Sequence, residues 1–328
     1  MLKLFERNTG LQVIIILVVA VLLWIQPLAH PEPMPAPDGF APLYSLIYHI
    51  GLSPLVAVIL AMLLVLLGGF FLNLIMTNVG LVSQNSLLPT LFYTLFMSAQ
   101  ATTLTPMLLV GVVAISIIKM LMLHSTLLTI SSDKIFGIAA LIGICSLIYL
   151  PSVALLASYL LVVVNYRLYS WRDWMVLLLG LMAPFLPLWA VQYLSDDLAA
   201  GFVSMGDTLA TTHFHAHPVE TLPAIANGIL LGTFLISLFT VWRKLGEKTV
   251  VWQKNATSVM LLTVAAIAVL LYSGLYPINL QYFAIPFALC ATIRFTPETR
   301  RRMPRQKQWR RNLYDYLFIL IIVSAVLC

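Results

Sequence analysis

Apolar residues in this chain come in long runs. They show neither the strict alternation of a half-buried strand nor the one-sided stripe of a soluble helix. The clearest run is residues 11–29, LQVIIILVVAVLLWIQPLA. A helix rises about 1.5 Å per residue, so roughly 20 apolar residues cross a hydrocarbon core about 30 Å thick. Further runs follow at 53–77, 86–101, 105–123, 135–150, 152–166, 174–193, 222–242, 257–272, 275–292 and 313–328. The pattern predicts an all-α polytopic transmembrane helical bundle of nine to eleven spans, occupying residues 1–328 as one integral membrane domain. The lower count applies if 135–150 and 152–166, split only by Pro151, form a re-entrant hairpin. The first run is too long for a signal-peptide core, and no small-x-small cleavage site follows it, so it reads as a retained first helix.

Composition agrees with that class. The chain is 61% hydrophobic and only 9% charged, against about 25% charged in a soluble domain. This excludes a soluble enzyme, a nucleic-acid-binding domain and a disordered chain. Cys145, Cys290 and Cys328 all lie in apolar runs, so no disulfide framework is implied.

The net charge of +6 resembles a nucleic-acid signal until its distribution is considered. With the N-terminus cytoplasmic and the runs alternating, all 18 Lys and Arg fall on the cytoplasmic side or at a cytoplasmic helix end. They occupy Lys3/Arg7, Lys119, Lys134, Arg167/Arg172, the 243–255 loop and the 293–311 loop, which alone holds eight. The outer loops, 30–52 and 194–221, carry Glu32, Asp38, Asp196, Asp197, Asp207 and Glu220 and no basic residue. The expected location is a bacterial cytoplasmic membrane, with membrane lipids as first partners. The 294–311 segment then anchors its flanking helices on an anionic leaflet.

The first outer loop starts with Pro31, Pro33, Pro35 and Pro37, which makes it extended and stiff. Asp38-Gly39 predicts a turn. APLYSLIYHIG follows with apolar residues at helical spacing, which predicts a short interfacial helix with Tyr44 and Tyr48 as anchors. Glu32 and Asp38 are either ordinary solvated acids or groups facing a site at the membrane surface, where a carboxylate acts as a general base or binds a cation. The second outer loop holds His213, His215 and His217. In an extended segment these three imidazoles share one face. That suits ligand contact, a divalent cation, or no special role; no HExxH context supports a metal.

The spans themselves hold almost nothing ionisable, which argues against an ion-coupled transporter. Asn73, Gln84, Asn85, Gln100, Thr102, Thr103 and Thr105 cluster around the second to fourth runs, either lining a cavity or bonding helix to helix. There is no P-loop, GxGxxG, GxSxG or haem motif.

The order of features resembles the membrane half of the C-type, polyprenol-phosphate-sugar-dependent glycosyltransferases over roughly residues 10–195. The matching residues are Pro42-Leu43-Tyr44 in the first outer loop, Gly137, Gly143 and Pro151-Ser152 in a glycine-containing pair of short helices, then Trp171-Arg172 and Gly180. The stretches NSLLPTLFYTLFMSA and SLIYLPS are also similar to a group of short bacterial inner-membrane proteins with no assigned function. The glycosyltransferase resemblance implies sugar transfer from a polyprenyl phosphate at the outer face. It places the catalytic or metal-binding acid at Asp38, with Glu32 second, and Tyr44 and Arg172 toward substrate; beyond the matched stretch, His213, His215 and His217 are candidates to bind the sugar or phosphate. The chain departs from the family in having two acids six residues apart where an adjacent pair is usual. It also has no acid at Ala101–Thr105, where a later outer loop often carries one. Two other classes stay open: a non-catalytic subunit bound to other membrane proteins, and a lipid or solute transporter.

Overall fold

The computed structural model describes residues 9–82, 86–125, 131–165, 170–210, 221–273 and 277–295, together with Ile321 and Val323. Among them every regular element is helical. In chain order these are α1 (Thr9–Ala29), α2 (Pro42–His49), α3 (Pro54–Asn78), α4 (Leu88–Gln100), α5 (Pro106–Ser125), α6 (Ser132–Ile148) and α7 (Leu155–Asn165). They continue with α8 (Trp171–Met182), α9 (Phe185–Leu194), α10 (Leu198–Ala210), α11 (Thr221–Leu245), α12 (Val250–Ser273), α13 (Pro277–Leu280) and α14 (Ala284–Phe295). Tight 3-10 turns occupy Leu150–Ala154 and Gln281–Phe283.

Proline sets many of the boundaries. Pro42, Pro54, Pro89 and Pro151 occupy the first two positions of their helices, and α5 and α13 begin on Pro106 and Pro277. The missing N–H costs nothing there, because the first turn has no internal partner for it.

Among the described residues four helices are long and apolar enough to cross a membrane: α1, α3, α11 and α12. The 174–193 run forms two helices, α8 and α9, bent by 44° at Ala183-Pro184; taken as one broken span they make a fifth. The nine to eleven runs therefore do not all become full-length helices. α4, α6, α7 and α14 have 13, 17, 11 and 12 residues. The runs of α4 and α14 are apolar because protein surrounds them, and apolarity alone does not separate that case from lipid contact. The 313–328 run lies outside the described residues apart from Ile321 and Val323. The second outer segment also differs from the loop expected there, since it carries α10.

α4 and α14 form the centre. Every residue of α4 from Leu88 to Met97 is buried, as is every residue of α14 except Arg294. Phe92 and Phe96 of α4 meet Phe287 of α14 at ring-centre distances of 6.0 and 4.8 Å. A helix of 13 residues is about 20 Å long, so both of its ends stop inside the bundle. At its start, the Leu87 N–H donates to the Gln12 Oε1 of α1 at 2.9 Å. At its close, the Gln100 carbonyl accepts from Gln281 Nε2 at 3.1 Å. Both glutamines are buried, and both supply what water supplies at a soluble helix end.

The tightest helix pair is α6 against α8. A Cβ on Gly143 would lie 2.6 Å from the Leu181 carbonyl oxygen, and one on Gly180 would lie 2.6 Å from that of Phe136. The two glycines let the backbones touch, which is how helices associate where lipid removes the hydrophobic drive.

Hydrogen bonds between distant segments define two ends of the bundle. One gathers the 30–41 strap, Gln100–Thr105, Tyr149, α10 and Asn279–Gln281. The other gathers Gln12 with Leu87, Lys244 with Ile293, and Arg294 with Thr240. Glu32, Asp38, Asp196, Asp197 and Asp207 belong to the first, with no Lys or Arg among the described residues there. Lys119, Lys134, Arg172, Arg243, Lys244, Lys248, Lys254 and Arg294 belong to the second, with Asp133, Asp173 and Glu247 among them. We call these the acidic and basic ends.

Gly180→Leu is expected to lower the stability of the purified protein by about 1–3 kcal/mol, because the α6 backbone has no room to yield. Thermal unfolding in detergent checks this; a melting temperature equal to that of the unmodified chain would refute the α6–α8 contact.

Candidate functional site at the acidic end

The Pro-rich strap runs from Ala29 across the acidic end and turns at Gly39, whose φ is +70°. That left-handed backbone suits glycine, and the lack of a side chain matters again here. A Cβ would lie 2.7 Å from Thr208 Oγ1 on α10. The next residue, Phe40, donates its N–H to the same Oγ1 at 2.9 Å. Its ring is buried against Leu147, Leu150 and Phe185, with Met205 and Trp189 packed beside them. The turn carrying Asp38 is thus clipped to α10 by one hydroxyl and one buried ring. α10 ends at Ala210, and the next ten residues, which include His213, His215 and His217, lie outside the described residues. So does Glu220.

The short helix anticipated from APLYSLIYHIG is present as α2. Leu46, Tyr48 and Ile50 face outward, and Tyr44 faces in and is buried. The Tyr44 hydroxyl donates to the Pro35 carbonyl at 2.8 Å and lies 3.3 Å from the Leu104 carbonyl. Burial pushes this phenol well above its usual range, with Tyr48 and the Asp38 carboxylate adding to the effect. Tyr44 therefore remains a protonated donor that pins the strap to the Ala101–Thr105 turn. It serves the scaffold, and its hydroxyl is already committed to protein carbonyls.

The same turn receives Glu32. The Thr102 hydroxyl donates to Glu32 Oε2 at 3.2 Å, at the exposed surface. A turn that carries no acid of its own is thereby given one by the first loop. Below it, Gln100 donates its amide to Asn227 Oδ1 on α11, and Gln281 donates to the Gln100 carbonyl. The Thr105 hydroxyl donates to Gln281 Oε1 at 3.2 Å and accepts from the Leu108 N–H at 3.2 Å. Thr105 thus caps α5 and ties it to the Gln281–Phe283 turn. Tyr149 bonds Asn279 at 3.4 Å, and Ser152 meets the Tyr282 hydroxyl at 2.5 Å, closing the break between α6 and α7.

The candidates thus divide. Glu32, Asp38 and Tyr44 come together at the acidic end. Arg172 does not join them: it is exposed at the start of α8, on the basic end. Of the polar residues noted around the early runs, Gln100, Thr102, Thr103 and Thr105 form one cluster. Asn73 sits apart on α3, and Gln84 and Asn85 lie outside the described residues. Asn227 and Gln281 had no signal in the sequence, since a lone carboxamide in an apolar run has no spacing to mark it. Among the described residues no three His, Cys, Asp or Glu converge as metal ligands.

Short α7 leaves an apolar crevice between itself, α5 and α12. It is lined by Ile117, Leu121, Leu155, Tyr159, Val162 and Leu262, and has room for about one water-sized group.

Comparison with known proteins finds no matching family model, no matching curated protein and no matching solved structure.

Gly39→Ala is expected to strain the turn by about 1–2 kcal/mol from its backbone alone and to push Thr208 away. Limited proteolysis checks this: cleavage in the 30–41 strap should accelerate while the helical core stays protected. Unchanged cleavage would mean that the Gly39–Thr208 contact does not hold the strap.

Proposed function

We propose that the chain acts on lipid-linked glycans in a bacterial cytoplasmic membrane, transferring a sugar from a polyprenyl phosphate donor at the acidic end. The N-terminus and the basic end face the cytoplasm. The observation that carries this reading is the Glu32–Thr102 bond. It brings a first-loop carboxylate onto the second turn of the same end, a place where the resembling glycosyltransferases often carry an acid. The absence of described Lys and Arg from the acidic end supports the orientation through the positive-inside rule.

In this mechanism Asp38, exposed on a turn held by Thr208 and Phe40, accepts the proton of the acceptor hydroxyl. The hydroxyl oxygen attacks the anomeric carbon. The bond from that carbon to the phosphate oxygen breaks, and polyprenyl phosphate leaves with the electron pair. Glu32 holds donor or acceptor hydroxyls near Thr102. The histidines at 213–217 follow α10 directly, and their proposed part is contact with sugar or phosphate.

Asp38→Asn is expected to lower transfer by about 10²–10⁴-fold, the range for loss of a general base, with folding intact. Glu32→Gln should act mainly on KM. Transfer of labelled sugar from polyprenyl phosphate by purified protein in lipid vesicles measures both. Full activity of Asp38→Asn would remove it from the mechanism, and no transfer by the unmodified chain would remove the reading.

A further inference from the structure

α10 has three different sides. Gly201, Met205 and Thr208 face the protein. A Cβ on Gly201 would lie 2.6 Å from the Gln192 amide of α9, Met205 packs beside Phe40, and Thr208 accepts the Phe40 N–H. Ser204 and Asp207 occupy a second, exposed side. The third side carries Phe202, Val203 and Leu209, which are 50%, 62% and 43% exposed, with Gly206 between them. At 3.6 residues per turn this apolar side spans about 120°, the width of a face that helices normally bury.

No residue of α10 is buried, so that side has no protein partner among the described residues. A helix of 13 residues is marginal in water, and Gly201 and Gly206 weaken it further. Its hold on the protein is one glycine contact, one thioether and one hydroxyl. Burial of the third side supplies what the first side lacks.

Continuity and charge select the occupant. The exposed apolar surface runs onto α10 from α9, the second half of the broken span. Trp189 of α9 meets Phe202 at 5.6 Å between ring centres, and Tyr193 and Leu194 at the close of α9 are exposed. Trp and Tyr favour the boundary between hydrocarbon and head groups. Asp207 is the one ionisable residue of α10, which has no Lys or Arg. Anionic lipid therefore gains nothing from this helix, and its attachment comes from apolar area.

We propose that the apolar side of α10 seats in the lipid leaflet at the acidic end, on zwitterionic lipid, with Ser204 and Asp207 toward water. Through Thr208 this seat holds the turn that carries Asp38. The second outer segment is then part of the membrane boundary rather than a loop in water. The seat does not depend on sugar transfer, and a chain that transfers no sugar can still have it.

Nitroxide probes on single thiols test the seat in the full chain, reconstituted in bilayer discs of phosphatidylcholine. Cys145 and Cys290 are buried, and Cys328→Ser removes the third thiol. Val203→Cys, Leu209→Cys and Asp207→Cys each place one probe. Collision with oxygen, which concentrates in hydrocarbon, is compared with collision with a water-soluble nickel chelate. Oxygen should dominate at 203 and 209, and nickel at 207. Nickel dominating at 203 and 209 overturns the seat, as does oxygen dominating at 207. A probe at 203 or 209 that meets neither reagent also overturns it, because a second copy or another protein then covers that side. Val203→Asp should unseat α10 and accelerate proteolytic cleavage of the 30–41 strap in the same discs, while Val203→Leu should not. Cleavage of Val203→Asp at the rate of the unmodified chain overturns the link from the seat to the strap.

Discussion

Backbone groups inside a membrane have no water to fall back on, and this constraint governs the rest of the fold. A full-length helix satisfies it by placing its ends at the two surfaces. α4 does not reach both surfaces, so its ends are closed by side chains from other helices: Gln12 at Leu87 and Gln281 at Gln100. Those glutamines must come from far away in sequence, which forces α1 and the α13–α14 region to pack on either side of α4. The aromatic contacts of Phe92, Phe96 and Phe287 fill the space that this arrangement encloses. One short helix thereby dictates which parts of the chain are neighbours.

The polar groups that close the helix ends also shape the acidic end. Gln100 terminates α4, Thr105 caps α5, and Gln281 touches both. The turn between the two helices is therefore rigid, and it serves as the floor on which the strap rests through Tyr44 and Glu32. Structural need and candidate chemistry meet in the same residues. A substitution at Gln281 disturbs the closure of α4 and the cap of α5 together.

Part of this was legible in the sequence. The Pro-rich strap, the Asp38-Gly39 turn and the α2 helix follow from local rules of proline, glycine and apolar spacing. The absence of Lys and Arg from the 30–52 and 194–221 segments anticipated an end with no described base. Length was misread where apolar runs are encased in protein, because α4 and α14 look the same in sequence as lipid-facing segments. The 174–193 run was broken by Pro184, whose effect depends on α6 crossing there with Gly143 against Leu181. α10 was hidden because Gly201, Ser204 and Gly206 weaken helix propensity, while its docking at Gly39 appears only in three dimensions. Asn227 and Gln281 had no local pattern, since their meaning lies in partners 127 and 181 residues distant from Gln100.

The burial of α4 has a consequence for biogenesis. The helix emerges from the ribosome early, yet α14, which covers one side of it and whose preceding turn supplies the Gln281 that closes its end, is made roughly 180 residues later. Until then α4 has an apolar surface suited to lipid and a C-terminus suited to water. It is stable in neither place alone. A nascent chain halted anywhere between α5 and α13 holds this helix in an unfinished membrane domain. The burial of α4 is thus completed only after the α13–α14 region has been made.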